Sequence, residues 1–109
     1  MRAERTNLFM TRGDSESIVI SCPERPFQEG DEVVFTVKVN EFTPEITLQK
    51  RVTQFDDGKA VIEIFPQDTN GMNYGRYKYD IQLTTAEGAV ITIIKPATFC
   101  IEKEVTWDV

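Results

Sequence analysis

The sequence contains no histidine. That absence removes Ser-His-Asp and Cys-His catalysis, imidazole metal sites and imidazole pH switches by inventory. Cysteine is scarce too: Cys22 and Cys100 stand 78 positions apart, without the paired spacing of a zinc site or a Cys-x-x-Cys redox centre. They read as small buried apolar side chains. A disulfide between them needs neighbouring strands, and a reducing compartment disfavours one. Long apolar runs are also missing. After the charged start Met1-Arg2-Ala3-Glu4-Arg5, Leu8-Phe9-Met10 falls well short of the ~7–15 apolar residues of a signal peptide. The expectation is a chain made and kept inside a cell or in a particle assembled there. Positive charge is the minority sign, with 12 Lys and Arg against 18 Asp and Glu and a net charge of -6. That balance argues against nucleic acid or an anionic membrane as the main partner.

What is present is the composition of a folded domain, 40% hydrophobic and 28% charged over 109 residues, enough for one core. A single domain over 1–109 is expected, with 1–11 a flexible or covering N-terminal segment. Tyr77, Tyr79, Ile81 and Leu83 alternate with Lys78, Asp80, Gln82 and Thr84, the period of two that makes a strand with one wet face. Val33, Phe35, Val37 and Val39 are expected inward in the same way, with Thr36 and Lys38 outward. Ser17 to Cys22, Ile46 to Val52, Ala60 to Phe65, Ala89 to Ile94 and Thr98 to Val105 complete seven expected strands. One helical turn is expected around Gln67 to Asn70, after Pro66.

Turn chemistry suggests the connections. Asp56-Asp57-Gly58 tolerates positive φ and predicts a tight hairpin between the strands that flank it. Thr85-Ala86-Glu87-Gly88 predicts another, Pro96 predicts a break before Thr98, and Pro23 with Pro26 predicts an irregular crossing. The fold class expected is all-β, an antiparallel immunoglobulin-like β-sandwich of about seven strands. Asn73-x-Gly75-x-Tyr77 resembles the tyrosine corner of immunoglobulin-type domains, with Tyr77 the corner residue bonded to backbone in the preceding turn. Tyr79 then stands where antibody domains carry a cysteine.

Each candidate for chemistry has a structural reading beside it. Arg12-Gly13-Asp14-Ser15 spells an integrin-recognition tetrapeptide, but reads better as the turn entering the Ser17 strand. Asp56 with Asp57, and Asp14 with Asp31, lack the spacing of a calcium loop and read as turn carboxylates. Glu102 and Glu104 are expected on one outward face of the last strand, where no cleft would make them an acid and a base. No metal ligand set, cofactor motif or catalytic constellation is expected, and the chain is read as not an enzyme.

Two segments, Val61-Ile62-Glu63-Ile64-Phe65 and Val90-Ile91-Thr92-Ile93-Ile94, carry apolar residues on both faces. A two-layer sandwich hides only one set. The row Val61, Phe65, Ile91 and Ile93 is the candidate interface, with Ile62, Ile64, Val90 and Ile94 as the alternative. The second row is expected to be covered by Leu8-Phe9-Met10, by the Phe42 loop, or by another subunit. A ligand-binding module would instead cluster Tyr74, Phe42 or Trp107 in loops at one end.

From Gly13-Asp14-Ser15 through Phe27-Gln28-Glu29-Gly30-Asp31 and Val34-Phe35-Thr36-Val37 to Ile62-Glu63-Ile64 and Gly75-x-Tyr77-x-Tyr79-Asp80-Ile81-x-Leu83, the order of elements resembles the N-terminal domain of baseplate upper proteins of tailed phages and related prophage proteins. The likeness spans residues 11 to 107 and leaves out the region that would carry a receptor-binding part. It implies a non-enzymatic structural module that docks a tail-tip or baseplate component through protein contacts. The partners implied are other phage structural proteins or a second copy of the chain, and the location is the cytoplasm and then the virion. The other expectation is an immunoglobulin-like adhesion module that binds carbohydrate or peptide.

Overall fold

A computed structural model describes residues 1–105. Eight strands and one helical turn follow in order: β1 (Arg2–Glu4), β2 (Asn7–Thr11), β3 (Glu16–Ile20), β4 (Glu32–Lys38), β5 (Leu48–Val52), β6 (Ala60–Ile64), α1 (Pro66–Thr69), β7 (Gly75–Thr84) and β8 (Val90–Glu102). Six form one sheet in the order β1-β2-β8-β7-β4-β5, and β3 pairs with β6 in a second. The two sheets meet in one hydrophobic cluster. Val33, Phe35 and Val37 of β4, Tyr79, Ile81 and Leu83 of β7, and Phe99 and Ile101 of β8 enter it from the large sheet, while Ile18, Ile20, Ala60, Ile62 and Ile64 enter from the small one. Alternation explains the membership, since each of these residues is separated from the next by one that faces away.

The all-β expectation holds, but the sheet is not purely antiparallel. β2 runs parallel to β8, with Leu8 opposite Phe99 and Met10 opposite Ile101. Residues 1–11 are therefore neither loose nor a cover. They form an edge hairpin whose Leu8 and Met10 complete the core. Phe9, on the other face, is buried under the guanidinium groups of Arg2 at 4.5 Å and Arg76 at 5.9 Å.

Pro96 does not break the last strand. Tyr79 pairs with Ala97 and Ile81 with Ile94, so Lys95 and Pro96 together oppose the single residue Asp80. A bulge absorbs the missing N–H, and the two expected strands are one. A second irregularity sets Ile81 against Ile94 and Gln82 against Thr92, which shifts Ile93 out of simple alternation.

The Asp56 turn forms, with Asp57 and Gly58 both at positive φ and Asp56 and Lys59 exchanging two backbone hydrogen bonds of 3.0 Å. It is not a sheet hairpin, because β5 pairs with β4 in the large sheet and β6 with β3 in the small one. The turn docks on the proline crossing instead, where the Phe27 N–H donates to the Gly58 carbonyl at 3.0 Å. The β7–β8 hairpin is as expected: the Thr85 N–H donates to Ala89 and the Thr85 hydroxyl accepts from the Ala89 N–H. Within the crossing, Arg25 donates two hydrogen bonds, of 2.7 and 3.2 Å, to the fully buried carboxylate of Asp31, which also accepts the Gln28 N–H. These hydrogen bonds, Arg25's foremost, hold the Asp31 carboxyl below its usual range against the opposing effect of burial.

Candidate docking surfaces

At the entry to β7 the Tyr77 hydroxyl donates to the Asn73 carbonyl at 2.8 Å. Gly75 between them has φ +131, a conformation side chains seldom adopt. Two residues on, the Tyr79 hydroxyl donates to the carbonyl of Thr6 in the β1–β2 turn. The Tyr79 ring packs with Phe35 and Phe99 at centroid distances of 5.5 and 6.3 Å. Burial pushes its phenol up to about 12.

The apolar rows separate into two places. Val61 faces outward from the small sheet at 39% exposure, with Val19 of β3 opposite it at 60%, and Phe65, just past the end of β6, is 44% exposed. Ile62 and Ile64 are core. Ile91 belongs to the other sheet and is exposed, whereas Ile93 and Ile94 pack against the core as partly buried side chains. The expected row of Val61, Phe65, Ile91 and Ile93 is thus not one surface: it is divided between two sheets, and the β8 irregularities turn Ile93 toward the core. The alternative row fails as well, since it mixes core Ile62 with exposed Val90. The expected covers lie elsewhere. Leu8-Phe9-Met10 is in the large sheet, and Phe42 is 92% exposed and covers nothing. Val19 carries no signal in the sequence, because a lone outward valine in a short strand is marked as surface only by its partner strand.

Phe65 is partly screened by Lys50 of β5, whose ammonium lies 5.0 Å from the ring and 2.7 Å from Asp68 of α1. Asp68 also accepts the Phe65 N–H at 2.7 Å, capping the helical turn. Burial works to raise its pKa, but the Lys50 and Phe65 hydrogen bonds and the Lys50 charge leave it lowered.

The outward side of the large sheet carries a shallow groove of about 290 Å³. Its floor is Thr36 and Lys38 of β4, Gln49 of β5, and Lys78, Asp80 and Gln82 of β7. Its rim is Asn40, Glu41 and Ile46 of the β4–β5 loop. Lys38 and Lys78 stand directly opposite each other, and Thr36 opposite Asp80. Burial raises the Asp80 carboxyl, with the Lys38 charge pulling the other way. The Asn40 side-chain oxygen organises the rim loop by accepting the N–H groups of Phe42 and Thr43, each at 2.9 Å.

The integrin-like tetrapeptide is a turn with its arginine occupied. Arg12 binds both oxygens of Glu104, at 2.8 and 3.2 Å, and its guanidinium lies 4.3 Å from the centre of the Tyr74 ring. Tyr74 also donates its hydroxyl to Glu104 at 2.8 Å. The Gly13 N–H is held by Thr69. The arginine hydrogen bond, followed by that of Tyr74, keeps the Glu104 carboxyl low. Glu104 lies beyond the end of β8, so it does not share a strand face with Glu102, which meets Arg2 at 3.5 Å. Tyr74 is thereby tied down, Phe42 stands free, and Trp107 lies outside the described residues. Asp31 is committed to Arg25, and Asp56 and Asp57 remain exposed turn residues apart from it.

Cys22 and Cys100 are unbonded, and both are partly rather than fully buried. Cys22 follows β3 and Cys100 lies within β8, so they are not on neighbouring strands. Among the described residues no helix is long and apolar enough to cross a membrane. Comparison with protein-family models, with curated proteins and with solved structures finds no match.

Proposed function

We propose that this chain is an immunoglobulin-like β-sandwich acting as a non-enzymatic structural module of a tailed phage or prophage, docking a tail-tip or baseplate component through protein contacts. The immunoglobulin-like reading is supported by the order β2-β8-β7-β4-β5 opposite β3-β6, with the first long strand parallel to the last. The bond from Tyr77 to Asn73 supports it further. The docking reading rests on one observation above others: Val19 and Val61 project from the outer face of the small sheet, and Phe65 is exposed just past the end of β6. Apolar area gains about 25 cal/mol per Å² when a partner removes it from water. The phage assignment draws on the resemblance in element order and motifs. It places the chain in the cytoplasm on synthesis and in the virion after assembly.

The test is a binding titration of the purified chain with the tail-tip and baseplate proteins encoded beside its gene. Saturable binding to one of them supports the reading, and no binding to any overturns it.

The polar groove favours a second reading, a site for carbohydrate or peptide, because Lys38, Lys78, Asp80 and Gln82 converge there beneath the loop that carries Phe42. A glycan array and amide chemical-shift mapping decide between the two. Saturable shifts confined to β4 and β7 on addition of an oligosaccharide would favour the second.

A further inference from the structure

Each of β1, β5, β3 and β6 has one side without a strand neighbour. An unpaired edge templates pairing with another chain unless charge, proline, a bulge, shortness or a covering segment blunts it. β1 is three residues long and carries Arg2 and Glu4. β5 carries Lys50 and Arg51. The open side of β6 lies beside β5, with Cα atoms within 8 Å, and Lys50 reaches across to Phe65 and Asp68 just past its end. β3 is blunted only at its first residue, where the Met1 ammonium meets Glu16 at 2.6 Å. Glu16-Ser17-Ile18-Val19-Ile20 contains no lysine, arginine or proline, is in unbroken register with β6, and has its one charge at its first residue.

We infer that β3 is a self-association edge, at which the Glu16–Ile20 strands of two copies of this chain pair antiparallel about a two-fold axis at Ile18. Two two-stranded sheets thereby become one of four strands, above the size at which sheets are stable in their own right. Full overlap of the five residues sets Ile18 opposite itself, Ser17 opposite Val19 and Glu16 opposite Ile20. In that register each inward-facing residue meets an inward-facing one, Ile18 its own copy and Ile20 the Glu16 that is paired with the Met1 ammonium, and a slip by one would set the inward row against the outward one. No two like charges stand opposite each other. The edge is therefore self-complementary, as an isologous contact requires, and a second copy is the occupant it fits. This inference goes beyond the docking reading and does not depend on the phage assignment.

The test follows the mass of the full chain by sedimentation from about 10 μM to about 1 mM, the range in which a contact of one strand associates. Amide exchange is recorded at both ends of that range. Two variants share a lysine that faces Glu63 of β6 within the monomer. S17K/V19K sets lysines opposite one another across the two-fold axis, and S17K/V19E sets lysine opposite glutamate. The parent should approach twice its monomer mass with added protection inside Glu16–Ile20; S17K/V19K should stay monomeric, and S17K/V19E should dimerise at least as tightly as the parent. A parent that remains monomeric at the top of the range overturns the inference, as does association to which both variants are indifferent. If S17K/V19K loses its native circular dichroism, the exchange data decide: concentration-dependent protection in Glu16–Ile20 of the parent upholds the edge, and its absence sinks it. A monomer that still binds a tail protein removes only this inference and leaves the docking reading standing.

Discussion

The Tyr79 hydroxyl donates to the carbonyl of Thr6, so a residue in the middle of the large sheet holds the turn of the edge hairpin 73 positions away. Tyr79→Phe keeps the ring among Phe35 and Phe99 and deletes only that bond. It should cost about 1–2 kcal/mol in urea denaturation, with amide exchange quickening first in β1 and β2. The raised phenol gives a second readout. Its folded pKa of about 12 lies above the unfolded value of about 10. The stability it contributes is complete below the unfolded value and is lost as pH rises through the folded one. The parent should therefore weaken across that alkaline window more steeply than Tyr79→Phe.

Asp31 has the opposite sign. With its carboxyl held low by Arg25, the stability it contributes is present above the unfolded value of about 3.9 and disappears as pH falls through the folded one. Asp31→Asn should cost about 2 kcal/mol at neutral pH and flatten the acid limb of a stability-against-pH curve. An unchanged acid limb would show that the pair is not coupled to folding.

Gly58 and Gly88 both have positive φ, +72 and +91, but a Cβ at Gly58 would stand 2.8 Å from the Pro26 side chain while Gly88 has open space around it. Gly88→Ala should therefore show backbone strain alone, about 1 kcal/mol, and Gly58→Ala about 1–3 kcal/mol more. Equal losses in paired denaturation curves would mean that the turn does not dock on the proline crossing.

Ile91 and Ile94 separate surface from core on one strand. Ile94→Lys places a charge beside Ile81 and should destabilise by about 3 kcal/mol or more. Ile91→Lys, at an exposed position, should stay within about 1 kcal/mol of the parent. Thermal melts of the two variants measure the difference directly.

How far the sequence is legible follows from where its signals are local. Tyr77 to Leu83 and Val33 to Val39 alternate cleanly, and Tyr79, Ile81, Leu83, Val33, Phe35 and Val37 are core, whereas Tyr77 is only partly buried and Val39, expected inward, lies past the end of β4 and is exposed. The Asp57-Gly58 turn is equally local, but which strands it connects in a sheet depends on distant partners. Leu8, Phe9 and Met10 are all buried, so they show no alternation, and parallel pairing to β8 leaves no mark within the segment itself. Pro96 misleads because a bulge supplies what the missing N–H cannot, and the same irregularities hide the true facing of Ile93. Of the candidate surface, Val61 and Phe65 are readable from doubled apolar faces, whereas their neighbour Val19 emerges only with the β3–β6 register.

The docking claim is tested most directly by isothermal titration of the tail protein that binds the parent against Val61→Lys and Ile91→Lys, each shown to be folded by circular dichroism. Val61 stands beside Val19 on the small sheet and Ile91 lies on the other sheet. Val61→Lys should weaken binding by about tenfold or more while Ile91→Lys leaves it unchanged. Undiminished affinity in Val61→Lys would contradict the account.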